Sequence, residues 1–117
     1  MRTLTLSATA SVVLDDSGNG TAQAGPTFPG ETWYPVTVSV GAEESVITDE
    51  AQCKVYCGPS ASQPYYVDGT LSGSTGDSTT NVTGQVIYAG SYVWAAWTGG
   101  DNGATVTMNV QGTRTVP

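Results

Sequence analysis

Two cysteines, ten carboxylates and a complete lack of histidine set the limits on the chemistry this chain can carry. Nucleophile–base pairs of the Ser–His or Cys–His kind need an imidazole to take the proton, so they cannot be assembled here. A carboxylate pair is the acid–base chemistry that remains. Glu43, Glu44, Asp49 and Glu50 form the densest acidic run, but they read as one exposed polar loop. Solvated carboxylates keep ordinary pKa values, whereas a glycosidase shelters one of its two. No catalytic residue is expected, and the chain is read as a non-enzyme that works by contact.

Cys53 and Cys57 stand four apart in Ala51-Gln52-Cys53-Lys54-Val55-Tyr56-Cys57. On a regular strand Ala51, Cys53, Val55 and Cys57 share one face. Their spacing then separates the two cysteine Cα atoms by about 13 Å, beyond the roughly 7 Å that a disulfide tolerates. Both are expected as buried free thiols. A zinc site would need further Cys or His ligands. Asp15, Ser17, Asn19 and Gly20 match the opening of a calcium loop, but Pro26 stands where the closing Glu belongs. A turn is the preferred reading there, and no metal or cofactor is expected.

The aromatic residues are the better candidates for a working surface. In Tyr92-Val93-Trp94-Ala95-Ala96-Trp97 both faces of a strand are apolar, so one row fills a core and the other needs a loop or a partner to cover it. Trp33, Tyr65, Tyr66 and Trp97 are taken as a candidate contact patch, since interface centres are enriched in such rings. The alternative is that they pack beneath a proline-rich crossing.

These side chains must be positioned by strands. Leu4, Leu6, Ala8, Ala10, Val12 and Leu14 alternate with Thr and Ser, which places one face in a core and the other in water. Asp15 to Gly20 is a turn, and residues 21–24 form a short return strand. Residues 25–30, with Pro26 and Pro29, read as an irregular crossing. Further strands are expected over residues 33–40, where Tyr34, Val36, Val38 and Val40 share a face opposite Trp33, and over 52–57, 65–71 and 82–88. Residues 41–50 and 72–80 are loops. The arms 92–97 and 104–113 look like a terminal hairpin, and residues 113–117 a short tail. The 117 residues suit one domain, 1–117, of about eight strands in a two-sheet antiparallel β-sandwich, immunoglobulin-like first and jelly roll second. No α-helix is expected.

The net charge of −7, with Arg2, Lys54 and Arg114 as the basic side chains, repels a phosphate backbone, so no nucleic acid partner is expected. No stretch approaches the roughly 20 apolar residues of a membrane helix. The opening Met1-Arg2-Thr3-Leu4-Thr5-Leu6 alternates at once, unlike a signal peptide, so the chain is expected to be made in a cytoplasm and to have no membrane partner.

The stretches Leu14-Asp15-Asp16-Ser17-Gly18-Asn19-Gly20-Thr21 with Gly25-Pro26, Trp33 ahead of residues 36–40, Cys53-Lys54-Val55-Tyr56-Cys57-Gly58, Asp68-Gly69-Thr70-Leu71-Ser72-Gly73 with Gly76-Asp77-Ser78, and residues 97–104 through Gly112-Thr113 form one pattern. Taken together they resemble small β-sandwich virion proteins of tailed phages that infect actinobacteria, of the head-decoration or minor-tail type. The resemblance spans most of the chain and brings no catalytic residues with it. It implies a capsid decoration protein on the outside of an assembled head, with the major capsid protein or neighbouring virion proteins as partners and a homo-oligomer left open. The alternatives are a carbohydrate-binding or host-adsorption module and a minor tail component.

Overall fold

In the computed structural model of the protein, residues 2–42, 49, 51–70 and 78–117 are described. The strands are β1 (Arg2–Val13), β2 (Gly20–Ala24), β3 (Thr32–Ala42), β4 (Gln52–Gly58), β5 (Tyr66–Thr70), β6 (Ser78–Asn81), β7 (Ile87–Tyr88), β8 (Tyr92–Thr98) and β9 (Thr105–Val116). A 3-10 turn, Gln63–Tyr65, precedes β5. Two antiparallel sheets face each other, ordered β1-β9-β3-β6 and β2-β8-β4-β5, with β7 pairing to β3. The molecule is a two-sheet β-sandwich.

The strand order decides between the two expected topologies. An immunoglobulin sandwich keeps its last two strands side by side in one sheet. Here β8 and β9 lie in different sheets, and the first and last strands pair with each other. This is the jelly-roll order, so the immunoglobulin-like expectation is corrected, and with it the terminal hairpin. Both arms still bury an apolar row, Val93, Ala95 and Trp97 on β8 and Val106, Met108 and Val110 on β9, and the two rows meet across the core from opposite layers. The spacing of apolar residues is the same in either arrangement and so could not tell them apart.

Other boundaries moved as well. Residues 113–116 are not a tail: Thr113 pairs with both Thr5 and Tyr34, and Val116 with Arg2. Of the strand expected over 82–88 only β7, Ile87–Tyr88, forms; residues 82–85 make a turn closed by the Gln85 N–H on the Val82 carbonyl. The expected loops at 41–50 and 72–80 are corrected at their described ends, since residues 41–42 belong to β3 and 78–80 to β6, while 43–48, 50 and 72–77 lie outside the described residues.

The core forms where the two sheets' inner rows meet, around Trp97, Met108, Ile87, Val38, Val55 and Val106. On β3 the alternation changes phase. Trp33 and Pro35 are buried, Tyr34 and Val36 exposed, then Val38 and Val40 buried again. The register with β9 slips between Pro35 and Thr37, so Val36 is the extra residue of a β-bulge. Across the bulge stands Gly112, where a Cβ would lie 2.3 Å from the Tyr34 carbonyl oxygen and 2.8 Å from Pro35 Cα. Only glycine lets the two backbones approach this closely.

Candidate functional site

The bulge also settles where Trp33 goes. Without it Trp33 would sit on the face opposite Val38; with it the ring turns inward and is 6% exposed. Trp97 is 1% exposed, in the core row of β8 beside Val93 and Ala95. The expectation that Trp33 and Trp97 belong to a surface patch is therefore corrected: both are core residues. Their indole N–H groups are buried and make no hydrogen bond. Tyr65 and Tyr66 are exposed, at 36% and 40%.

Phe28, Tyr34 and Tyr88 are exposed elsewhere on the molecule, but one set of rings lines up across a sheet in a row that the residue spacing did not predict. On β4, Cys53, Val55 and Cys57 face the core, so Lys54 and Tyr56 face outward. Tyr56 is opposite Trp94 on β8, which is opposite Gln23 on β2, and Tyr56 is opposite Tyr66 on β5. Gln23, Trp94, Tyr56 and Tyr66 thus form one line across all four strands on the outer face of the smaller sheet. Tyr92 extends it, two residues along β8. Cross-strand neighbours of this kind sit within ring contact. Tyr92 and Trp94 meet edge-on with centroids 5.4 Å apart and planes at 74°; Tyr56 and Tyr66 do so at 5.8 Å and 69°. The Trp94 indole N–H donates to the Gly58 carbonyl at 2.9 Å, which fixes that ring on the sheet. Small residues leave space around the row: a Cβ on Gly69 would come within 2.9 Å of the Tyr66 hydroxyl, and one on Gly58 within 2.6 Å of the Tyr65 ring.

Lys54 lies on this face, and Asp68, exposed on the same edge strand two residues after Tyr66, lies beside it. The other described carboxylates gather elsewhere. Asp15, Asp16, Asp49 and Asp101 occupy the end of the sandwich where the β1–β2 turn meets the β8–β9 loop, joined by the Gly100 N–H on the Gly18 carbonyl and the Asp49 N–H on Asp101 Oδ1. Asp15 Oδ1 accepts from the backbone N–H groups of Ser17 and Asn19, the self-capped turn expected of Asx residues. Among the described residues no group of three or more metal-ligating side chains comes together. Glu43, Glu44 and Glu50 of the acidic loop lie outside the described residues.

At the opposite end the crossing after β2 is tied down by Glu31, which is 3% exposed. Its carboxylate accepts from Arg114 Nη1 at 2.7 Å and from the Thr27 backbone N–H at 3.0 Å. Burial pushes its pKa up. Arg114 and the Thr27 N–H push it down, and together they win, so Glu31 titrates below its ordinary value. A cleft of about 420 Å³ runs beside this pair, between β1 and the crossing.

Cys53 and Cys57 are buried and unpaired on β4. Desolvation pushes the Cys53 thiol up to about 12 and the Cys57 thiol up to about 11, the opposite of an activated nucleophile. Compared with protein-family models, with curated proteins and with solved structures, the chain matches none.

Proposed function

We propose that this chain is a structural virion protein of the capsid-decoration type, which docks on an assembled phage head through the outer face of its smaller sheet. The observation that carries the reading is the row Trp94, Tyr56 and Tyr66, an outward-facing aromatic line, half-buried at Trp94 and Tyr56 and exposed at Tyr66, with only Lys54 and Asp68 as charged neighbours among the described residues in a protein of net charge −7. Interface centres are enriched in Tyr and Trp and depleted of carboxylates. Trp94, already held by its bond to Gly58, loses little freedom on binding. The sequence resemblance to phage virion proteins supplies the partner: the major capsid protein or its virion neighbours. The jelly roll agrees with this reading, since viral capsid domains use it, but lectins use it too and architecture alone does not assign function. Binding only the assembled lattice would stabilise the particle by mass action. The reading places the protein on the capsid surface of the virion, after synthesis in the host cytoplasm.

A carbohydrate-binding module for host adsorption is the second reading, favoured by the same exposed rings. The edge-on packing at 74° and 69° weighs against it, because a sugar chain stacked along the row would want ring faces lying in one plane. Co-sedimentation separates the two. Purified protein is mixed with undecorated capsids and, separately, with host-wall polysaccharides. The expected result is saturable binding to capsids at a fixed ratio to the major capsid protein, weakened about 30-fold by Trp94→Ala, the equivalent of about 2 kcal/mol at an interface anchor. Binding to polysaccharide alone would overturn the proposal.

A further inference from the structure

The four sheet ends of the sandwich are not alike. β2 and β5 have five residues each and β6 has four, and β5 also carries a register irregularity against β4. Short and irregular edges are the usual protection against unwanted pairing. β1 is a sheet edge of twelve residues whose pairing to β9 runs unbroken from Arg2↔Val116 to Val13↔Thr105. Among the described residues nothing pairs with its free side. It contains no proline, no lysine and no bulge, and its one charge, Arg2, is at the very end. Its inward row is incompletely covered: Leu4, Ala8, Ala10 and Val12 are only partly buried.

We infer that β1 is the edge through which two copies of this chain pair, antiparallel and centred on Ser7. The sequence of β1 is self-complementary about that residue. Leu6 meets Ala8 of the partner subunit, Leu4 meets the partner's Ala10, and Thr5 meets the partner's Thr9. Apolar residues thus continue the inner face and hydroxyls the outer one, which are favourable cross-strand pairs. A one-residue slip would exchange the faces, so only registers that differ by an even number of residues keep the apolar row inward. Charge fits this direction of pairing and no other. β1 runs toward the acidic end at Asp15 and Asp16, so antiparallel pairing sends the two acidic ends apart. Each Arg2 is then set against the partner's Val12, at the end that carries the partner's Asp15 and Asp16. Parallel pairing would bring the two acidic ends together. The two-fold axis normal to the sheet leaves both aromatic faces on the same side of the pair. Pairing does not depend on what those faces bind.

The test uses the free protein. Light scattering behind size exclusion should give twice the 12.0 kDa chain mass. Thr5 and Thr9 are exposed on the outer face, so the double variants T5K/T9K and T5E/T9E should keep the fold, checked by thermal midpoint. Each alone places like charges opposite each other twice across the two-fold axis, and should dimerise at least tenfold more weakly. Mixed in equal amounts, the two variants should recover a dimer containing one copy of each. A wild-type protein that stays monomeric up to about 100 μM, a scale set by weak association, overturns the inference. So do double variants that dimerise as well as the wild type, because the interface is then elsewhere.

Discussion

Replacing Arg114 by Ala isolates the contact that fastens the crossing over the end of the sandwich. Glu31 is almost wholly occluded, while Arg114 keeps 32% of its side chain exposed, so the two partners respond differently to loss of the other. Charges about 4 Å apart at an effective dielectric near 20 attract by about 4 kcal/mol, and this attraction offsets the cost of burying the carboxylate. Without Arg114 that cost stands unopposed apart from the Thr27 N–H, and breaking a buried pair in this way costs about 3–5 kcal/mol. The pair lies at the end of the sandwich, where water can approach, so about 2–3 kcal/mol is expected at pH 7. Glu31→Gln should cost only about 1 kcal/mol, because Arg114 can turn to solvent. The pH dependence has a definite sign. Glu31 titrates below its ordinary value when folded, so its contribution is present above the unfolded pKa of about 4.3 and is lost as pH falls through the folded value. The deficit of R114A should therefore shrink between pH 7 and pH 3, as the carboxylate is neutralised in both proteins. Urea unfolding across that range measures it. A cost below about 1 kcal/mol that does not change with pH would refute the reasoning.

Two further outcomes follow from the fold. Gly112→Ala places a Cβ against the Tyr34 carbonyl and Pro35 backbone of the bulge, and backbone cannot yield as a side-chain tip does. It should destabilise by about 3 kcal/mol in urea, the upper part of the overpacking range, and a cost near zero would mean the bulge relaxes. Cys53 and Cys57 should resist maleimide in the native protein at pH 8 and label fully in denaturant. Because their folded pKa values are raised to about 12 and about 11, stability is intact below the unfolded thiol pKa of about 8.5. Above it stability falls by up to about 1.4 kcal/mol per pH unit for each thiol, a slope that Cys→Ala substitution should flatten.

Much of this architecture was legible because alternation is a direct consequence of two-sided strands. The inward row of β1, the phase of β4 and the placing of its thiols were all read from period two. What failed has specific causes. A single inserted residue at Val36 reverses the phase on one side of it, so the spacing of Trp33 from Val38 pointed outward while the ring points in. A Gly-rich segment such as 99–103 marks a reversal but does not say whether the chain turns within one sheet or crosses to the other. For the aromatic site the signal was present and was not combined. Tyr56 alternates with the cysteine row and so must face outward. The small residues Ala95 and Ala96 do not reveal which row of β8 is inside until its partner strands are known. The pairing of Trp94 with Tyr56 and Tyr66 is a long-range register, which no local pattern contains.

The most direct measurement of the central claim is a cryo-electron microscopy map of particles decorated with the protein, at a resolution that places strands. The account predicts that each copy lies with the β2-β8-β4-β5 sheet against the capsid surface, with Tyr56, Tyr66 and Trp94 buried in the contact. Density with that sheet facing solvent, or particles that acquire no density at saturating protein, would contradict it.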